Sequence, residues 1–131
     1  MQNITYTYQT RPRYKDIDAM GIVYYSRYYE FFEAARTDML RDMGLPYSEF
    51  EATGFLMPVI ESHCKYLQSA HFDELLKIEC TIKDLPRIKM TIHYRVVNED
   101  EDMLAQGYTK HAFLDKNGNI RRVPKHFLEL F

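Results

Sequence analysis

Residues 15–25 read KDIDAMGIVYY, and this stretch sets two carboxylates and one glycine directly ahead of a predicted helix. An apolar spacing of three and four residues begins just after it, near Ser26. The first turn of a helix carries N–H groups without intrahelical partners, and these groups favour negative charge. Carboxylates at such a junction predict a site that hydrolyses or polarises a carbonyl group.

The elements on either side of this stretch follow from hydrophobic periodicity. Apolar and polar side chains alternate in residues 4–14, which predicts a first strand whose end is weakened by Pro12. From Ser26, the expected N-cap, helical spacing predicts a helix of about five turns. Gly44 and Pro46 supply its stop signal.

The long helix is predicted to be amphipathic. Its apolar stripe consists of Tyr28, Phe32, Ala35, Met39 and Met43, while Glu33, Arg36, Arg41 and Asp42 are offset from it. We expect a sheet to cover the stripe.

The second half of the chain is predicted to be mostly strands. A capping-box pattern at Ser48–Glu51, closed by Gly54, predicts a short second helix. Strands are then predicted at 58–67, 76–82, 90–96 and 104–114, and Asn117-Gly118 marks a hairpin turn into 120–123. The acidic run 98–102 is interpreted as a solvated hairpin tip.

These elements predict a single α+β domain over residues 1–131. One helix cannot cover both faces of an antiparallel sheet, so a sheet of five or six strands is expected to wrap around it. Its edges would be left for a partner, which favours a homo-oligomer.

Composition excludes several classes of function. The formal charge of −2 gives no bias toward nucleic acid. No basic-then-apolar leader begins the chain, and no apolar run approaches the roughly 20 residues that cross a bilayer, so we expect a cytoplasmic protein without a membrane span. Cys64 and Cys80 lack metal spacing and are interpreted as packing residues, with a disulfide between them as the minor alternative.

Two motifs carry a resemblance to a known family. The pattern D-x-D-x-x-G-I-V-Y-Y-x-x-Y at 16–28, followed by ARTDML at 35–40, resembles the signature of hotdog-fold acyl-CoA thioesterases of the 4-hydroxybenzoyl-CoA thioesterase class. It also resembles the small acyl-CoA thioesterases associated with the bacterial Tol-Pal system. Residues 66–75 are similar to a loop and strand of the same family. The resemblance implies a hotdog fold, a dimer joined edge to edge, often paired into a tetramer, and active sites at the dimer interface.

The resemblance also implies roles for individual residues. Asp18 matches the aspartate that acts on the thioester as nucleophile or general base, and the backbone N–H of Tyr25 matches the group that polarises its carbonyl. Gly21 matches a position that allows close approach of substrate or a positive φ. Asp16 is expected to orient the loop through hydrogen bonds. Several Tol-Pal-type members carry His where this chain has Tyr25, so a mechanism that needs an imidazole is not implied.

Coenzyme A brings phosphate charges that relatives hold with surface cations. We expect Arg87 and Lys89 to bind them, and a second cluster, Arg121, Arg122 and Lys125, lies near the end of the chain. Solvated surface charge is the competing interpretation for each of these residues.

Alternatives remain at the level of function. Asp18 has the composition of an ordinary turn residue, and only the surrounding motif favours a catalytic role. A module that binds acyl-CoA or an acyl carrier without catalysis would share the fold. A hotdog dehydratase is disfavoured because residues 25–43 contain no His. No metal-ligand spacing, Gly-x-Ser-x-Gly elbow or phosphate-binding glycine loop is present, so neither a metal nor a cofactor is expected.

Overall fold

The long helix and the sheet that wraps around it form the framework of the protein in the computed structural model, which describes residues 2–131. The helices are α1 (Arg27–Asp42), α2 (Tyr47–Ala52) and α3 (Lys125–Leu128). The strands are β1 (Ile4–Thr10), β2 (Phe55–Leu56), β3 (Val59–Tyr66), β4 (Leu76–Ile82), β5 (Lys89–Val97), β6 (Met103–Asp115) and β7 (Ile120–Arg121). The α+β prediction, with one long helix against an antiparallel sheet, is confirmed.

All the pairings between strands are antiparallel. The five longer strands lie in the order β1-β4-β5-β6-β3, and the two-residue strands β2 and β7 pair with the far half of β6. Seven strands are therefore present within residues 2–131, against the five or six predicted. The difference comes from β2, which is too brief to show a two-residue period, whereas β7 corresponds to the strand predicted after the Asn117-Gly118 turn.

The core lies between α1 and the inner face of the sheet. Alternate residues of β4 and β5 point inward, so Ile78, Cys80 and Tyr94 are buried while Glu79 and Arg95 face outward and pair with each other. The Phe32 ring of α1 stacks on Tyr94 with 4.2 Å between centroids. This contact fixes the helix across the middle of the sheet.

Three predictions of local structure need correction. The first strand ends at Thr10 rather than at residue 14, because Pro12 has no N–H for a sheet and the chain then forms a 3-10 turn at Tyr14–Asp16. The Ser48–Glu51 capping box does not form, because α2 begins after Pro46 and so places Ser48 inside the helix. The last strand stops at Arg121 rather than 123. Cys64 and Cys80 are both free, so the minor alternative of a disulfide between them is wrong and the preferred interpretation, two unpaired cysteines, holds.

The end of α1 follows the prediction. Gly44 has a φ of +100°, a conformation that side chains with a Cβ rarely adopt, and the Leu45 N–H returns to the Leu40 carbonyl at 3.0 Å. Within residues 2–131, no helix has the length and apolar character needed to cross a membrane.

Candidate active site

Asp16 fixes the loop that leads into α1. Its carboxylate accepts hydrogen bonds from the Arg13 N–H at 2.8 Å and the Lys15 ammonium at 3.0 Å, and the Arg27 guanidinium lies 3.6 Å away. Burial alone would raise the pKa of Asp16, but these donors and charges outweigh it and hold the pKa below its ordinary value. Asp16 is therefore a buried, charged anchor, in agreement with its predicted structural role.

The loop that follows Asp16 holds the second carboxylate in a tight turn. Asp18 Oδ1 accepts the Met20 N–H at 2.8 Å, and the Asp18 N–H and the Ile22 carbonyl are joined at 2.9 Å. Gly21 has a φ of +80°, and no atom lies within 4 Å of the place where its Cβ would be. Glycine is thus required here by the backbone conformation and not by a close neighbour.

The Asp18 carboxylate is only partly used by this turn. Its second oxygen, Oδ2, has no hydrogen-bond partner among residues 2–131, and the side chain is half-buried. An oxygen in this state is available to a water or to an acyl carbon.

The start of α1 offers free backbone donors. The Tyr24 N–H is bonded to the Asp16 carbonyl at 2.8 Å, and the Arg27 N–H to the Tyr24 carbonyl at 2.9 Å. Between them, the N–H groups of Tyr25 and Ser26 have no partner in the described part of the chain. Ser26 is the N-cap residue by position, but its side chain makes no capping bond. The helix start therefore keeps two donors for an anion.

One cavity of about 240 Å³ brings these groups together, and we call it the Asp18 cavity. Its lining residues are Asp18, Met20, Ile22, Val23, Tyr25, Tyr28, Tyr66, Leu67, Gln68 and Ser69. The walls are mainly apolar and aromatic, with the carboxylate as their charged group. The arrangement suits an apolar or amphipathic substrate that is attacked at a polar bond.

The aromatic walls of the Asp18 cavity include residues that sequence reasoning did not assign to the site. Tyr28 was interpreted as a core residue, and it is indeed 3% exposed, but its ring also faces the cavity beside Tyr66, with 5.1 Å between the centroids. Burial raises the pKa of the Tyr28 hydroxyl to about 12, so it stays protonated at neutral pH. The sequence did contain an indication for Tyr66, because it is the first residue of the second stretch that resembles the family, 66–75.

Arg87 and Lys89 lie far from the Asp18 cavity within one chain. Lys89 pairs with Ala112, at the end of the sheet where β3 begins, whereas the cavity is lined by Tyr66, at the end where β3 stops. Both cations are exposed. A single chain therefore does not bring them to the carboxylate.

The second predicted cluster of cations, near the end of the chain, lies at the surface. Arg121 is paired with Asp115 at 2.9 Å, while Arg122 and Lys125 are exposed. In the part of the chain that the structure describes, no three His, Cys, Asp or Glu side chains are grouped as a metal site would require.

Comparison with known proteins gives one family. The family model described as the thioesterase-like superfamily matches residues 12–131. An acyl-CoA thioester hydrolase of Escherichia coli is 29% identical over 104 residues, which cover 79% of this chain and 78% of that protein.

Solved structures give the same picture of the fold. A hypothetical protein from Aquifex aeolicus superposes with a TM-score of 0.90 at 33% identity, covering 95% of this chain and 98% of that one. The 4-hydroxybenzoyl-CoA thioesterase of Pseudomonas sp. strain CBS-3 has a TM-score of 0.85 at 24% identity, covering 97% and 99%. At that identity, the second likeness bears on the fold alone.

Proposed function

The chain belongs to the thioesterase-like superfamily, and we propose that it hydrolyses an acyl-CoA thioester to a carboxylic acid and free coenzyme A. The observation that carries this proposal is the Asp18 cavity, a partly apolar space lined by Asp18, which keeps a carboxylate oxygen without a partner, and by Tyr25, whose N–H is unbonded. The name of the Escherichia coli relative, an acyl-CoA thioester hydrolase, supports the same reaction.

The proposed chemistry divides the work between these two groups. The Tyr25 N–H donates to the thioester oxygen and stabilises the negative charge that forms there, a contribution of about 3 kcal/mol for one preorganised donor. Asp18 Oδ2 either attacks the acyl carbon, which expels the thiolate and leaves an anhydride for water to cleave, or removes a proton from a water that attacks instead. In both routes one water is consumed, and the thiolate leaves with the electron pair of the C–S bond.

The active enzyme is proposed to be a dimer joined through β3. One edge of β3 pairs with β6, and its other edge has no partner within residues 2–131. The two ends of this strand also expose apolar side chains, because Val59, Ile60, Tyr66 and Leu67 are each 40% to 49% exposed. An edge of this kind is a template for pairing with a second copy.

A two-fold axis through this edge would also bring the predicted cations to the site. Antiparallel pairing of β3 with its copy sets the Val59 end of one strand beside the Tyr66 end of the other. Lys89 and Arg87 lie near the Val59 end, so they would approach the Asp18 cavity of the second copy. We assign them to the coenzyme A phosphates on this basis. Two such dimers would form the tetramer that the family resemblance implies.

A thiol-release screen tests the proposed reaction. Purified protein is incubated with short aliphatic, long aliphatic and aromatic acyl-CoAs, and free coenzyme A is measured with a disulfide reagent. Turnover of at least one class, lost in Asp18→Asn, is the expected result. Tight binding of acyl-CoA without release of thiol would instead select a non-catalytic binding module.

A further inference from the structure

A second cavity, of about 290 Å³, lies between α1 and the start of β3, and nothing in the proposed chemistry uses it. Its lining residues are Glu33, Arg36, Thr37, Leu40, Tyr47, Met57, Pro58, Val59 and His111. We call it the α1–β3 cavity. It is distinct from the Asp18 cavity of the same chain, since the two share no lining residue.

Arg36 is the unusual group in this cavity. Of the three arginines in α1, Arg27 pairs with Glu30 at 2.7 Å and Arg41 with Asp38 at 2.8 Å. Arg36 is half-buried, yet within residues 2–131 it forms no salt bridge, although Glu33 precedes it by three residues. Its guanidinium also forms a hydrogen bond with the buried Tyr94 hydroxyl. That bond uses one of its donors, and the others are available to an acceptor oxygen.

Arg36 is the residue in this cavity that can bind an acceptor oxygen of a ligand, because His111 is already occupied. His111 is fully buried, and its ring nitrogens are taken by the Met57 carbonyl at 3.2 Å and the Thr109 hydroxyl at 2.8 Å. Burial, opposed by the Met57 bond and assisted by the charge of Arg36, lowers the pKa of His111 to about 4. At neutral pH the imidazole is therefore uncharged, and Arg36 is the one cation among the residues that line the cavity.

The place of the cavity in the proposed dimer links it to the reaction. Val59 lines the α1–β3 cavity at the start of β3, and Tyr66 lines the Asp18 cavity at its end. Antiparallel pairing of β3 with its copy would therefore set the α1–β3 cavity of one chain beside the Asp18 cavity of the other. An acyl group whose carbonyl is held at Asp18 would extend across the interface into this space.

We propose that the α1–β3 cavity receives the far end of the acyl group bound at Asp18 of a second copy, and that Arg36 is a specificity-determining residue that binds an acceptor oxygen there. The inference rests on the proposed thioesterase function and on the β3 dimer. It names the preferred acyl class: groups that end in a carboxylate or a hydroxyl, rather than plain alkyl or aryl groups. An acyl chain without an oxygen would leave the Arg36 guanidinium desolvated and without a charged or substrate partner.

Matched substrates test the preference. Adipoyl-CoA is compared with hexanoyl-CoA, and 4-hydroxybenzoyl-CoA with benzoyl-CoA, so that each pair differs by its far oxygen and the two pairs distinguish carboxylate from hydroxyl. We expect the wild type to favour the oxygenated member of at least one pair by about tenfold in kcat/KM. Arg36→Gln should reduce that ratio to near one, mainly through KM, and leave the plain substrate within about threefold of wild type.

Two further variants separate recognition from structure. Arg41→Gln removes a paired arginine from the same helix and should keep the ratio. Glu33→Gln should keep or raise this ratio of kcat/KM. If Glu33→Gln lowered the ratio as much as Arg36→Gln does, Arg36 would be shown to interact with Glu33 and not with the substrate. An unchanged ratio in Arg36→Gln would overturn the proposal while leaving the thioesterase function intact.

Mixed dimers test whether the arginine acts across the interface. A dimer of one Asp18→Asn chain and one Arg36→Gln chain contains one fully wild-type site if the two residues act from different chains. We then expect about half of the wild-type kcat/KM on the oxygenated substrate. About half the activity of the Arg36→Gln homodimer would place both residues in one chain and contradict the proposal.

The failure of the proposed function has a different signature. If no acyl-CoA releases thiol, the reaction is wrong, and the same matched pairs are then compared as unreactive thioether analogues by calorimetry. A dissociation constant about tenfold lower for the oxygenated analogue, lost in Arg36→Gln, would still support the role of Arg36. Equal affinities would reject it.

Discussion

The Tyr66 hydroxyl donates a hydrogen bond to the Tyr25 carbonyl oxygen at 3.0 Å, which joins the end of β3 to the start of α1. The Tyr66 ring also packs edge-on against Tyr25 and Tyr28, with 6.4 and 5.1 Å between centroids. The edge strand thus braces the backbone that is proposed to hold the thioester carbonyl. The proposed assembly through β3 would therefore be physically linked to the geometry of the Tyr25 N–H by this contact.

Removal of that bond should slow the reaction without unfolding the protein. In Tyr66→Phe the ring is kept and one hydrogen bond of about 1 kcal/mol is lost, so kcat should fall about fivefold. Tyr108→Phe, which removes the bond from a hydroxyl to Glu61 on the outer face of the sheet, is the matched control and should leave kcat unchanged. Steady-state kinetics check both variants, and equal effects would argue against the bracing role.

The main-chain origin of the donor at Tyr25 predicts a contrast between two substitutions. Tyr25→Phe keeps the N–H and should keep kcat within about twofold, whereas Tyr25→Pro removes it and should lower kcat by about 10²-fold. Proline is tolerated at the beginning of a helix, and thermal melting verifies that the variant folds. A large loss in Tyr25→Phe would show instead that the phenol takes part.

Dimer formation through β3 predicts that a charge at its exposed edge separates the protomers. Ile60 is 49% exposed on β3, and Ile60→Lys should lower the molar mass seen by light scattering to that of one chain. Activity should fall with it. Ile120→Lys adds the same charge at a residue that is 65% exposed on β7 and should leave the mass and the activity unchanged.

Buried His111 predicts a pH dependence of stability. Its pKa is 6.5 when exposed and about 4 in the folded protein, so the unfolded chain binds the proton first as the pH falls. The stabilisation by the neutral ring is full above pH 6.5 and is lost as the pH falls toward 4, a change of about 3 kcal/mol. Urea titrations should show a steeper loss of stability between pH 6.5 and 4 in the wild type than in His111→Asn, where the smaller contribution of His93 remains. Equal slopes would mean that His111 titrates normally.

Periodicity was sufficient to predict most of the fold. The two-residue alternation of β4 predicted its bounds, and the three- and four-residue spacing predicted α1. The loop before α1 was harder, because the turn at Tyr14–Asp16 depends on a buried carboxylate that gathers donors from Arg13, Lys15 and Arg27. Such a network has no sequence period.

The candidate site could be predicted only where its residues are neighbours in the chain. Asp18 and Tyr25 lie on one short segment, and they do line one cavity. Arg87 and Lys89 were predicted from their charge and from the surface cations that relatives use, and neither reveals that the sheet carries them to the end opposite Asp18. Arg36 was predicted to lie on the polar side of α1. Its partial burial could not be predicted, because that burial depends on where β3 and β6 pass.

The role of Asp18 is tested most directly by the turnover number of Asp18→Asn on the best acyl-CoA substrate, with Asp38→Asn on the exposed face of α1 as control. The amide keeps the shape of the side chain but can neither attack the acyl carbon nor accept a proton from water. We expect kcat to fall by about 10³-fold in Asp18→Asn and to stay at the wild-type value in Asp38→Asn. An Asp18→Asn protein that turned over at the wild-type rate would contradict the proposed mechanism.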